Sequence, residues 1–377
     1  MVSQDRLVEH FMSLVRVDSE TKNEREICDV LTKQFQELGL TVEEDDAAAK
    51  TGHGAGNLIA KLNASGAEHA VPIFFTSHMD TVTPGQGIKP QLDSDGYIRS
   101  DGTTILGSDD KAGLAAMFEA IRALKENGIA HGPIQFVITV GEESGLVGAS
   151  VLDRSKLEAK FGYALDSNGE IGSIAVAAPS QAKVTIEFYG KSAHAGVNPE
   201  KGISAIQVAA KAISRMPLGR VDHETTANIG RFEGGGATNI VCDYVKLEAE
   251  ARSIVQPKLD AQVAAMKEAA EAVAAEFGAT ANFVSKLIYP SYQYGEGDPV
   301  VELAKTAIGN IGGTPRLFHS GGGSDANIFN GLGVPTVNLA VGYEEIHTTK
   351  ERIKVADLVK TTELVLEIIK LAAQKQA

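Results

Sequence analysis

Short apolar runs alternate with helical stripes over the first part of the chain. Residues 71–77 (V-P-I-F-F-T-S), 134–140 (I-Q-F-V-I-T-V) and 161–165 are near-unbroken apolar runs of strand length, the pattern of strands buried on both faces. Residues 21–38 set Ile27, Val30, Leu31, Phe35 and Leu38 at helical spacing, with Gly39 as the stop. Residues 112–125 predict a second helix, which ends at Asn127-Gly128. Strands separated by helices predict an α/β domain whose mostly parallel sheet is flanked by helices.

The rhythm changes after Pro179. Residues 183–189 alternate strictly, with Val184, Ile186 and Phe188 on one face and Lys183, Thr185, Glu187 and Tyr189 on the other. A helix over 202–216, a strand over 225–232 and an alternating strand over 244–252 follow. A helical stripe of Leu259, Val263, Met266, Ala270, Val273 and Phe277 comes next, then a strand over 283–288. This β-α-β-β-α-β order predicts a ferredoxin-like α+β insert over residues 179–290. Beyond Pro290 the first pattern resumes, with a helix over 299–310, a Gly-rich turn, a strand over 334–341 and a helix over 355–373. Residues 1–178 and 291–377 therefore read as one discontinuous domain.

Composition narrows the classes of function. The formal charge is −14 and no segment forms a basic stripe, so no nucleic-acid partner is expected. No apolar run approaches the roughly 18 residues of a membrane span, and the charged first 20 residues have no signal-peptide core. Cys28 and Cys242 fit no disulfide framework or metal-binding spacing and read as small buried hydrophobes. A cytoplasmic protein without membrane contact is the expectation.

The candidate chemistry lies where acids and histidines fall. His78-Met79-Asp80 ends the first buried strand, and residues two apart on a strand share a face, so His78 and Asp80 can act together. Asp109 and Asp110 precede the 112–125 helix, where an Asp is also a common cap. Glu142 and Glu143 follow the second strand and Asp166 ends the third. His347 follows the 334–341 strand. Any one of these could be an ordinary surface group, but four clusters at C-terminal strand ends, or in the loops just after them, coincide with the place where open α/β sheets bind ligands.

Together the motifs resemble the di-zinc family of peptidase T, carboxypeptidase G, aminoacylase and acetylornithine deacetylase, and its peptidase T-like members above all. The matching stretches are H-M-D (78–80), G-S-D-D-K-A-G (107–113), G-E-E-S-G (141–145), A-L-D-S (164–167), G-K-S-A-H-A-G (190–196), S-G-G-G-S-D (320–325) and I-H-T (346–348). The resemblance implies that His78 and Asp166 hold one Zn²⁺, that Glu143 and His347 hold the other, and that Asp109 bridges them across a cis Asp109–Asp110 peptide. Co²⁺ or Mn²⁺ would suit the same oxygen-rich donors. It further implies that Glu142 is the general base for a water shared by the ions, with Asp80 behind His78. His194 would polarise the oxyanion from a neighbouring subunit. Asn239 and Arg252 would grip substrate, and the loop with Gly322 and Ser324 could cradle a carboxylate.

The activity so implied is that of an aminopeptidase acting on short peptides, most of all tripeptides, in a homodimer built through the 179–290 lid. Asp at position 166 favours aminopeptidases and dipeptidases, where relatives with Glu are carboxypeptidases and N-acyl hydrolases. A carboxypeptidase or N-acyl-amino-acid deacylase is the alternative within the family. A non-catalytic peptide-binding protein is the alternative outside it, though no ligand or base is missing. His319 receives no role.

Overall fold

The predicted apolar runs form the middle of a nine-stranded sheet in the computed structural model, which describes residues 1–376. Ile134–Thr139, Ile73–His78, Phe161–Ser167 and Thr336–Ala340 lie side by side in that order, each parallel to its neighbour. The sheet as a whole is mixed, which corrects the expectation of a mostly parallel one. Thr41–Glu44 pairs antiparallel with Leu58–Leu62, which pairs antiparallel with Ile134–Thr139. On the other side Ser173–Ala178 runs antiparallel to Thr336–Ala340. The physical reason is that an apolar run reports cover on both faces, whatever the strand's direction. Leu58–Leu62 is nearly as buried as its parallel-paired neighbours.

Around this sheet the helix Ser108–Glu126 is buried along most of its length and packs on Gln4–Val15 and Val355–Ala372. Gln4–Val15, which the sequence reading left unassigned, is amphipathic and buries Leu7, Val8, Phe11, Leu14 and Val15. The fully buried Glu119 is satisfied there by Arg6 (Nε to Oε2, 2.7 Å) and by the Ser3 N–H (2.8 Å). At its start, Ser108–Glu126 departs from helical geometry at Asp109 and Asp110, and the peptide between them is cis. Cys28 is buried; Cys242 is only partly so.

One compact unit comprises Met1–Ala177, Tyr294–Ser320 and the chain from Ser324 onward. The other comprises Ala178–Gln293 with Gly321–Gly323. Its four long strands run in the order Thr225–Gly234, Tyr244–Ser253, Ser180–Tyr189, Thr280–Tyr289, all antiparallel. The helices Ala205–Arg215 and Gln256–Glu276 pack on this sheet. The alternation is realised as read: Val184, Ile186 and Phe188 are buried, with Val245, Leu247, Leu259, Met266 and Val273 in the same core. Among the described residues no helix is long and apolar enough to cross a membrane.

His10 on the first helix carries a pH-dependent share of stability. It is buried, bonds Gln34 at 2.8 Å and meets the Phe118 ring edge-on. Burial pulls its pKa down to about 4, against the hydrogen bond that its Nε2–H donates to Gln34 Oε1. The unfolded chain therefore binds the proton first, so this contribution is full above about pH 6.5 and drains away as the pH falls toward 4. In urea unfolding, the stability advantage of wild type over His10→Gln should shrink by about 2 kcal/mol between pH 7 and pH 5. A constant difference would remove His10 as the titrating group.

Candidate metal centre

The C-terminal ends of the parallel strands converge on one set of donors. His78 is the last residue of its strand, and Asp166 lies near the end of Phe161–Ser167. The Gly141–Gly145 turn follows Thr139; its Gly141 is left-handed (φ +59°) and packs so closely on His53 that a Cβ would lie 2.4 Å from Nε2. The stretch after Thr336–Ala340 brings His347 in, itself with a left-handed backbone (φ +63°).

Asp109 sits in the centre. Its Oδ1 is 3.0 Å from His78 Nε2 and its Oδ2 is 3.2 Å from His347 Nε2. Asp166 Oδ1 lies 3.8 Å from His78 Nε2, and Glu143 Oε1 lies 3.0 Å from His347 Nε2. Two triads, His78/Asp109/Asp166 and Asp109/Glu143/His347, thus share one carboxylate, and within each the donor atoms lie within 4.8 Å of one another. His78, Glu142 and Glu143 form a third such group. Imidazole nitrogen with carboxylate oxygen is the donor chemistry of zinc and related divalent ions, so the residues present fit a metal pair.

The electrostatics agree with that fit. Burial opposes charge on His78, but the hydrogen bonds to Asp109 and Asp80 outweigh it and raise its pKa well above the ordinary value. Burial works upward on Asp109 too, yet the two imidazoles pull its carboxyl below the usual range. Glu142 and Asp166 go the other way. Burial, reinforced by neighbouring carboxylates, pushes both well up. Buried carboxylates that raise one another's proton affinity mark a pocket rich in acids and short of positive charge.

Asp80 does more than face His78. The strand stops at His78, and it is the Asp80 backbone carbonyl that accepts from His78 Nδ1 at 2.9 Å; the nearer carboxylate oxygen stands at 3.4 Å. The carboxylate instead accepts from the Glu142 N–H (3.0 Å) and the Glu143 N–H (3.3 Å). Three further residues that the sequence reading passed over support the site. Tyr343 donates to Asp166 Oδ1 at 2.9 Å. Asn338 brackets the Asp166 backbone, accepting from its N–H and donating to its carbonyl. Lys111, fully buried, donates to Ser19 Oγ (2.7 Å) and the Met79 carbonyl (2.9 Å); burial lowers it to about 8 against the pull of Asp80 and Asp110. Its local signal was the D-D-K run.

The remaining candidates fall elsewhere in the chain. His194, Asn239, Arg252 and Gly322 belong to the smaller unit. His194 is exposed, accepts from the Gly196 N–H at 3.1 Å, and neighbours Asn239, whose carbonyl accepts from the Ala195 N–H. Arg252 pairs with Glu250 at 2.8 Å, and a Cβ on Gly322 would stand 3.9 Å from its Nη1. Ser324 caps the helix Asp325–Gly331 in a capping box with Asn327, and accepts from Asn338. His319 is exposed at the end of Arg316–His319.

Residues 74–371 match the model of peptidase family M20/M25/M40. A Bacillus subtilis protein named YqjE is 60% identical over 374 residues, 99% of this chain and 100% of its own. Peptidase T of Geobacillus kaustophilus is 29% identical over 413 residues, 99% of each chain. Among solved structures, the aminopeptidase PepT of Bacillus cereus shares 64% identity at a TM-score of 0.95, covering 99% of this chain and 100% of that one. A tripeptidase of Staphylococcus aureus shares 49% at a TM-score of 0.97, covering 100% of both.

Asp80→Ala keeps the backbone carbonyl that His78 uses and removes the carboxylate that accepts from the two glutamate N–H groups and stands 3.4 Å from His78 Nδ1. Titration of the variant with zinc should show affinity about 10–100-fold weaker than wild type. Unchanged affinity would mean that those N–H groups do not depend on this carboxylate.

Proposed function

Because the chain belongs to peptidase family M20/M25/M40, we propose that it is a di-zinc aminopeptidase that removes the first residue from short peptides, tripeptides above all. The observation that carries this reading is Asp109, with one carboxylate oxygen against each of two imidazoles. His78, Asp109 and Asp166 would hold one ion; Asp109, Glu143 and His347 would hold the other. When bound, such a pair supplies Lewis acidity, which polarises the scissile carbonyl and makes an attacking water more acidic.

The chain's own residues supply the rest. Glu142 is the group that accepts a proton from the attacking water and delivers it to the leaving amine. Its backbone N–H is held by Asp80, so its approach to the site is set from below. Burial first, and then the neighbouring carboxylates, raise its proton affinity, which suits a base that must also give the proton back. The smaller unit is assigned the roles of lid and dimer surface. Thr280–Tyr289 is an edge strand that exposes Val284 and Leu287, which supports its use in pairing with a second copy. His194 is assigned to the oxyanion, and Asn239, Arg252 and the Gly322–Ser324 turn to the ends of the peptide. The free cysteines suit a cytoplasmic enzyme.

A panel of tripeptides, dipeptides and N-acetylated amino acids, run with zinc-loaded and chelated protein, tests the reading. Tripeptides with a free amino end should turn over, and both chelation and acetylation of that end should abolish cleavage. Preference for N-acetylated amino acids would replace aminopeptidase with deacylase. Glu142→Ala should still take up two zinc ions while kcat falls by a factor of roughly 10²–10⁴.

A further inference from the structure

The loop that delivers Asp109 is bound from the other end of the chain. Glu351 lies four residues after His347 and is almost wholly buried. Its Oε2 accepts from the N–H groups of Leu106 and Gly107, both at 2.8 Å. Its Oε1 accepts from the Ser108 hydroxyl at 2.6 Å and the Asp109 N–H at 3.0 Å. One carboxylate thus takes up donors from four consecutive residues, the last of which faces both imidazoles. Three of these donors are backbone N–H groups around a helix start, where no intrahelical acceptor exists. Loops whose N–H groups point inward bind anions; here the anion is a side chain of the same protein.

Glu351 is itself well anchored. Its own N–H donates to the Thr348 carbonyl, which closes the turn directly after His347. The next residues, Arg352–Lys354, pair with Tyr97–Arg99 in a separate small sheet. The segment carrying His347 and the loop carrying Asp109 therefore meet on one buried carboxylate.

We propose that Glu351 is a positioning residue for the metal pair, holding Asp109 and His347 at the spacing that lets one carboxylate serve two ions. This rests on the reading of the site as a di-metal centre. Glu351 touches neither substrate nor reacting atoms. It acts through the backbone of 106–109, so its loss is felt first in metal binding and only through that in turnover.

Glu351→Gln in the full chain tests it. The amide has the same shape, but its nitrogen would confront two of the four donors. Metal-free wild type and variant are titrated with zinc against a chelating indicator, and amide hydrogen exchange is followed at 106, 107 and 109. Zinc affinity should fall about 10–100-fold, exchange at those amides should speed up before metal is added, and excess zinc should restore much of kcat because the Glu142 turn is untouched. A folded Glu351→Gln with wild-type zinc affinity overturns the proposal, whatever its thermal stability. If that variant does not fold, Ser108→Ala decides. It removes one donor of the four and should weaken zinc about 2- to 10-fold, and no change overturns the proposal. Wild-type protein that takes up fewer than two zinc ions would overturn the di-metal reading itself and this proposal with it; two ions in wild type beside an indifferent variant overturns the positioning role alone.

Discussion

A single carboxylate has to meet two imidazoles that come from opposite ends of the chain. Asp109 does so with separate oxygens, at 3.0 Å and 3.2 Å. Around it Glu142, Glu143 and Asp166 crowd into a space where like charges about 5 Å apart repel by roughly 3 kcal/mol at an effective dielectric of about 20. Such a cluster persists only if its backbone cannot relax outward. The supports are therefore polar and buried: Asp80 under the paired glutamates, Asn338 around Asp166, and Lys111 bridging Ser19 and Met79.

Strand direction follows from the same need. The four central strands that run parallel, Ile134–Thr139, Ile73–His78, Phe161–Ser167 and Thr336–Ala340, are the ones that carry or lead to Glu142 and Glu143, His78, Asp166 and His347. Parallel strands present their C-terminal ends at one edge of the sheet, which is where a shared site can form. The antiparallel strands Thr41–Glu44 and Leu58–Leu62 carry no member of the cluster, and nothing about the site constrains their direction. The sheet is parallel where the chemistry requires it and mixed outside.

Much of this was legible in the amino-acid order. The central strands announced themselves as unbroken apolar runs, and the acids and histidines stood at their ends. The smaller unit was readable from its strict alternation, because one face of its sheet is covered and the other is not. Strand direction was not readable, since burial on both faces gives the same apolar run either way. Leu58–Leu62 escaped notice because Lys61 interrupts a short segment. The Asp80 carboxylate stands 3.4 Å from His78 Nδ1, a pairing that nearness in sequence suggests; its acceptance from the Glu142 and Glu143 N–H groups had no local signal, because those donors lie 62 and 63 residues further along the chain. Glu351 had no local signal at all, because its four donors lie on residues 106–109, far earlier in the chain.

The larger unit is interrupted by the smaller one, leaving at Ala177 and resuming at Tyr294. A ribosome working from the amino end therefore releases His78, Asp109, Glu143 and Asp166 long before His347 exists. During that interval the nascent pocket holds acids with one imidazole among them, and the amides of 106–109 have no carboxylate to greet them. The insert, with a hydrophobic core of its own, is likewise synthesised before the larger unit is complete. Closure, and with it the ability to retain a cation pair, waits for the stretch that carries His347 and Glu351.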